Sequence, residues 1–125
     1  MIPLVFCLSL LLNLPWVDSV TVEGLLLPVP GKGQQMLVGN GRYSVAKDRR
    51  VMEILLRTQN IAAPGQVKSV FAEYNAVGEW RAKLPLPPGD YDCWVELTTT
   101  DEPGDPRQAR SGIVSRTKVE RVRVK

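Results

Sequence analysis

The sequence predicts an all-β chain, a single antiparallel sandwich of about seven short strands behind an N-terminal apolar leader. Three observations carry this. Side chains alternate with period two on both sides of the Pro-Pro-Gly of Pro87–Gly89, which suits half-buried strands and no helix. Ten Gly and ten Pro punctuate 125 residues and leave little uninterrupted helical periodicity. A hydrophobic content of 44% gives one domain enough apolar surface for a core without implying a membrane bundle.

The chain opens with an apolar run from Ile2 to Val17, broken by Asn13 and two prolines. It is too short and interrupted for a membrane span and reads as a secretory leader, although a positive n-region is missing. Ser19, with Val17 two residues before it, supplies the small residue that a signal peptidase needs, so residues 1–19 are read as the signal peptide and 20–125 as the domain. Asp18 is the only charged side chain removed, and the formal net charge moves from +3 to +4. Export, to the medium, the cell surface or the periplasm, is the expected destination, with no stable membrane span after leader removal.

The first strand is expected over 20–26, where Val20 and Val22 alternate with Thr21 and Glu23, and Pro28 and Pro30 end it. PGKGQQ reads as a surface turn and Met36–Val38 as a short extended piece. Gly39-Asn40-Gly41 is a strong turn signal. A strand at 41–46 follows, then the charged link Lys47–Arg50. Residues 50–58 offer Met52, Ile54 and Leu56 on one side and Val51, Glu53, Leu55 and Arg57 on the other, so a strand covered on both faces is expected. A helix competes there on propensity, but its apolar residues crowd into Val51–Leu56 instead of recurring over three turns.

Asn60–Gly65 reads as a loop, and 66–74 as a strand joined by the NAVG turn to its antiparallel neighbour at 78–84. In that neighbour Trp80, Ala82 and Leu84 share one face, and Arg81 and Lys83 the other. Pro85, Pro87 and Pro88 remove three backbone donors and Gly89 allows a reversal, so a connection is expected there. Over 91–99, Tyr91, Cys93, Val95 and Leu97 point one way and Asp92, Trp94, Glu96 and Thr98 the other. Thr100–Gly112 is a long exposed loop. The last strand spans 113–124, where Val119 falls out of phase with Val122 and Val124 and implies a bulge or a late start.

Histidine is absent, which removes the commonest general base and metal ligand and excludes histidine triads and histidine-zinc sites. Cys7 lies within the leader, leaving Cys93 alone and without an internal disulfide partner. Its inward position between Tyr91 and Val95 makes it a small buried hydrophobe in preference to a reactive thiol. No cofactor is expected and no enzyme: serines lack a base, no Gly-rich loop has phosphate-binding spacing, and paired carboxylates lack a pocket.

The stretch LPLPPGDYDCWVEL, Leu84–Leu97, resembles the E–F corner and F strand of immunoglobulin-like and fibronectin type III-like domains. There a leucine and a Pro-Gly precede a tyrosine whose hydroxyl bonds back to upstream backbone, and Tyr91 stands two residues before Cys93 as in that corner. Gly78-Glu79-Trp80 is similar to the G-x-W of many bacterial extracellular Ig-like modules. The resemblance implies structural roles for Trp80, Leu84, Gly89, Tyr91 and Cys93, and it sends the strands before and after the corner to opposite sheets. Two departures bear on it: 50–58 carries no tryptophan, and Cys93 has no pairing partner, so a fibronectin III-like or bacterial Ig-like sandwich held by packing alone is the closer match. What it implies for function is an exported, non-catalytic binding or structural module of the adhesion or spacer type. A carbohydrate-binding module, or an accessory or inhibitory subunit of an exported enzyme using Thr100–Gly112, is the alternative.

Two surfaces are candidates for ligand contact. Residues 107–125 hold Arg107, Arg110, Arg116, Lys118, Arg121, Arg123 and Lys125 against the single acid Glu120. Such a stretch would attract a polyanion, or it simply protects an edge strand with outward charge. Trp94 beside Arg81 and Lys83 would stack on a sugar ring, or lies over an arginine stem; if the corner splits the sheets, Trp94 loses Arg81 and Lys83 as neighbours. The expected partner is a protein or polysaccharide at the cell surface. Nucleic acid is not expected, since no aromatic side chains interleave with the basic ones. Asp90 with Asp92, and Asp101 with Glu102 and Asp105, match no calcium-loop spacing and read as solvated acids.

Overall fold

The computed structural model describes residues 17–26 and 35–125. The expected leader up to residue 16, with Cys7, and the turn segment 27–34 lie outside the described residues. Nine strands follow in order: β1 Ser19–Leu26, β2 Gln35–Ser44, β3 Arg50–Asn60, β4 Val67–Phe71, β5 Glu73–Tyr74, β6 Glu79–Leu86, β7 Gly89–Thr100, β8 Ile113–Arg116 and β9 Glu120–Val124. One 3-10 turn, Pro106–Gln108, interrupts the long loop; Asp105 caps it by accepting from the Arg107 N–H.

Two antiparallel sheets form, one ordered β1-β2-β6-β5 and the other β4-β3-β7-β8, with β9 also on β7. The described residues are thus all-β, with two sheets packed as a sandwich. Between them lie Leu37, Ile54, Leu56, Trp80, Leu84, Leu86, Tyr91, Cys93, Val95, Leu97 and Val124, all buried. β6 and β7 show the clean alternation of the sequence: Trp80, Ala82, Leu84 and Leu86 are buried in one, Tyr91, Cys93, Val95 and Leu97 in the other. The two strands lie in different sheets, so Pro87-Pro88 is a crossing between layers.

Four expectations need correction. Gly39-Asn40-Gly41 is not a turn; it lies inside the single long strand β2, paired to β1 and β6 on its two sides. The glycines are there for close approach. A Cβ on Gly39 would meet the Trp80 ring at 3.3 Å, and one on Gly41 would stand 1.9 Å from the Thr21 carbonyl and 2.7 Å from the indole nitrogen. The indole, 2% exposed, lies over this groove and donates to the Thr21 oxygen at 2.9 Å. Burial of a side chain this size contributes about 3 kcal/mol.

The expected strand at 66–74 is two. β4 joins β3, while β5 joins β6 in the other sheet, and the break at Ala72 carries the chain across. The NAVG turn then closes a hairpin between β5 and β6 only. Prolines also do not stop β6 at residue 84, because Pro85 still pairs with Met36. β5 reaches only Trp80 and Arg81, so on that side no strand needs the missing Pro85 donor. Finally, 113–124 is two strands and not one, interrupted by the bulge expected from the out-of-phase Val119. Glu96 pairs with Arg116 and Cys93 with Glu120, which places one extra residue in the edge strand and makes Thr117–Val119 a bulge. Thr117 fills it, accepting from the Val95 N–H at 2.9 Å and donating its own N–H to the Val95 oxygen at 3.0 Å.

Candidate recognition surface

The outer face of the second sheet is built by register. Directly opposed residues share a face, so Arg57 stands beside Trp94, Leu55 beside Glu96 and Glu96 beside Arg116. Asp92 meets Arg121, and Asp90 meets Arg123. Polar side chains fall here because the alternate positions of β3 and β7 are committed to the core.

Glu96 is the centre of this face and is only 12% exposed. It accepts from the Trp94 indole N–H at 2.8 Å and from Arg116 at 2.9 Å, and its other oxygen faces Arg57 Nε at 3.6 Å. Arg57 Nε is buried and has no hydrogen-bond partner among the described residues. The Arg116 guanidinium lies over the Trp94 ring, 5.7 Å from its centroid. Two guanidinium groups and one indole are therefore fixed around one carboxylate, an arrangement with more positive than negative charge and one aromatic face already covered.

The flanking pairs are more open. Arg121 reaches Asp92 at 3.3 Å and Arg123 reaches Asp90 at 2.9 Å, with both arginines well exposed. Pairs of this kind contribute roughly 0–1 kcal/mol to stability; their larger effect is to offset part of the charge of the basic stretch. Arg116, Arg121 and Arg123 each have an acidic partner across β7. Among the described residues Arg107, Arg110, Lys118 and Lys125 have no ion pair.

The structure brings Trp94, Arg121 and Arg123 onto one face. Arg81 and Lys83 are in the other sheet, so the sugar platform of Trp94 with those two residues does not exist; Arg81 is occupied with Glu73 at 3.2 Å. The acids of the long loop do not converge. Glu102 accepts from the Ser111 N–H at 2.6 Å and hydroxyl at 2.9 Å, and the backbone bonds of Ser111 and Arg110 hold its carboxyl below the usual range. Among the described residues no three His, Cys, Asp or Glu side chains come together to hold a metal ion, and no helix is long and apolar enough to cross a membrane.

Tyr91, 3% exposed, donates to the Pro87 carbonyl at 2.8 Å, across the turn whose reversal Gly89 makes at φ 151°. Cys93 is buried and has no disulfide partner among the described residues; burial first, then Asp92 and Glu120, pushes its thiol pKa up to about 12. A thiol so protonated is unreactive near neutrality.

One constellation has no counterpart in the sequence reading. The Asp18 side chain, 9% exposed, accepts from the Ala46 N–H at 2.7 Å and from the Thr99 hydroxyl, and faces Arg49 Nε at 3.6 Å. Arg49 in turn donates to the Thr99 hydroxyl at 2.9 Å and the Thr99 carbonyl at 2.8 Å. The start of β1, the β2–β3 link and the end of β7 are tied at this point. Adjacent charges in the sequence gave no signal, since the partners are 28 to 81 residues apart. A cut after Ser19 would fall inside β1 and remove this carboxylate. Comparison with protein-family models, curated proteins and solved structures gives no match.

Proposed function

We propose that this chain is an exported, non-catalytic Ig-like module of the fibronectin III-like kind, acting in binding or as a spacer at a bacterial cell surface. The observation that carries the reading is the crossing pinned by Tyr91. Its hydroxyl bonds back to Pro87 where the chain passes between sheets, and the sheet orders β1-β2-β6-β5 and β4-β3-β7-β8 are compatible with an Ig-like sandwich. A fold of this kind offers a rigid body whose outer sheet face and loops meet partners. The fixed Arg57–Trp94–Glu96–Arg116 group, flanked by Arg121 and Arg123, is the surface best arranged for a protein or polysaccharide, since its side chains lose little freedom on binding.

Export requires that processing leave the domain intact. The contacts of Asp18 favour a mature chain that retains it, whether the leader is cut upstream or kept. Biotinylation of intact cells with a membrane-impermeant amine reagent tests the location. The module should be labelled from outside, at lysines such as Lys68 and Lys118. Recovery only after lysis would overturn the reading.

Carbohydrate binding at Trp94 is the second reading, favoured by an indole set among carboxylate and guanidinium groups. It requires Arg116 to leave the ring or the sugar to use the ring edge. Binding to a panel of glycans that disappears in Trp94→Ala, with the fold unchanged, is its expected result; no binding to any glycan would remove it.

A further inference from the structure

A sandwich of two open sheets has four edges, and three are protected against further pairing. β1 has a register shift between Val22 and Gly24 with Glu23 at the irregularity. β5 is two residues long. The β8–β9 edge is broken by the Thr117–Val119 bulge and carries Arg116, Arg121 and Arg123. Each is a known device against edge-to-edge association.

β4 has none of these beyond the single Lys68. It is five residues long, regular in register with β3 and free of proline. The bonds from the Ala72 N–H to the Ile54 oxygen and from the Asn60 N–H to the Gln66 oxygen, at either end of the ladder, set its alternation. Lys68 and Val70 therefore point their backbone groups at β3, and Val67, Ser69 and Phe71 point theirs at the open edge. The same three residues carry the outer-face side chains, with Phe71 70% and Val67 46% exposed. Phe71 stands between two clefts of about 450 Å³ each, one lined by Met52, Ile54 and Arg107, the other by Val38, Val70 and Lys83.

We propose that β4 is the interface of a symmetric dimer, in which a second copy of this chain adds its own β4 antiparallel about a two-fold axis at Ser69. The sequence VKSVF is self-complementary in that register. Ser69 meets Ser69 of the second copy, and Val67 meets its Phe71. Every outward backbone group of the three residues then finds a partner, because self-paired positions in an antiparallel ladder are the hydrogen-bonded kind when their groups face the edge. Both exposed apolar side chains are covered by each other, and Lys68 stands opposite Val70 and not opposite its own counterpart. A closed two-fold contact of this type uses up the edge and stops at two copies.

Sedimentation equilibrium of the full chain, with Ser69→Pro and Phe71→Asp, tests the proposal. Among the described residues the Ser69 N–H makes no bond, so proline removes only the intermolecular donor. The wild type should be a dimer, and each variant should raise its dissociation constant at least about tenfold with the far-ultraviolet circular dichroism unchanged, a change of about 1.4 kcal/mol. Should Ser69→Pro fail to fold, Phe71→Asp at an exposed position decides alone. A wild type that stays monomeric at about 100 μM, as it would if the edge served another protein's strand, overturns the proposal. So does self-association that both folded variants retain, which would place the contact elsewhere, the apolar N-terminal run included.

Discussion

Tyr91→Phe replaces the hydroxyl by a hydrogen and keeps the ring, so the change isolates the corner bond. In the folded protein the hydroxyl is 2.8 Å from the Pro87 carbonyl in a residue 3% exposed. Losing a net hydrogen bond costs about 1 kcal/mol, and a carbonyl left without a partner at a partly buried site adds up to about as much again. The expected loss is about 1–2 kcal/mol. For a domain of this length each kcal/mol lowers Tm by about 4–8 °C. Urea unfolding followed by tryptophan fluorescence should show a lower midpoint with an unchanged m-value. Tyr43→Phe is the internal control, since its hydroxyl donates to Asn75 at an exposed position and its loss should cost less than about 0.5 kcal/mol. If Tyr91→Phe is within about 0.5 kcal/mol of wild type, or no worse than Tyr43→Phe, the hydroxyl does not hold the crossing and the reasoning fails.

Asp18→Asn should destabilise by about 2–4 kcal/mol in thermal melts, because it strips charge from beside the largely buried Arg49 and cannot accept from both Ala46 and Thr99 as the carboxylate does. Gly41→Ala should prevent stable folding, by the 1.9 Å approach to the Thr21 carbonyl, while Gly65→Ala, with open space around it, should be neutral or slightly stabilising by the same assay. The Cys93 thiol, raised from 9.0 to about 12, holds its proton more tightly in the folded chain than in the unfolded one. Its stabilisation is complete below about pH 9 and is lost as pH rises from there toward 12. Burial raises Tyr91 and Tyr43 in the same direction. Stability should be flat from about neutral pH to about pH 9 and fall above it, less steeply in Cys93→Ala, and native Cys93 should resist a thiol reagent at about pH 8 that labels it rapidly in urea.

The strands that alternate strictly were legible. In β6 and β7 one face must be apolar, so Trp80, Leu84, Tyr91, Val95 and Leu97 declared the core; the proline link declared only a connection, and its crossing between sheets was implied by the resemblance of Leu84–Leu97 to an E–F corner. Gly39-Asn40-Gly41 misled because a glycine that allows a turn and a glycine that makes room for an indole look the same in sequence; only the position of Trp80 on the adjacent strand distinguishes them. The break at Ala72 was hidden for a similar reason, since QVKSVFAEY has uniform strand propensity and the change of sheet is imposed by where β3 and β6 lie. Of the outer face, the alternation indicated that Trp94, Glu96, Arg121 and Arg123 point outward. Which charges meet depends on the register of β7 with β8 and β9, and that register is shifted by a bulge visible in the sequence only as Val119 out of phase. Asp18, placed in the leader by its apolar surroundings, gains its importance from Arg49 and Thr99, far away along the chain.

The claim on which the rest depends is that the strands on either side of Pro87-Pro88 belong to opposite sheets. Cross-strand nuclear Overhauser contacts between backbone protons decide it. The fold requires contacts of Leu84 with Leu37 and of Val95 with Leu56, the register partners in the two sheets. Contacts linking Leu84 or Ala82 to Tyr91 or Cys93 as backbone neighbours would make the two strands a hairpin and contradict the sandwich.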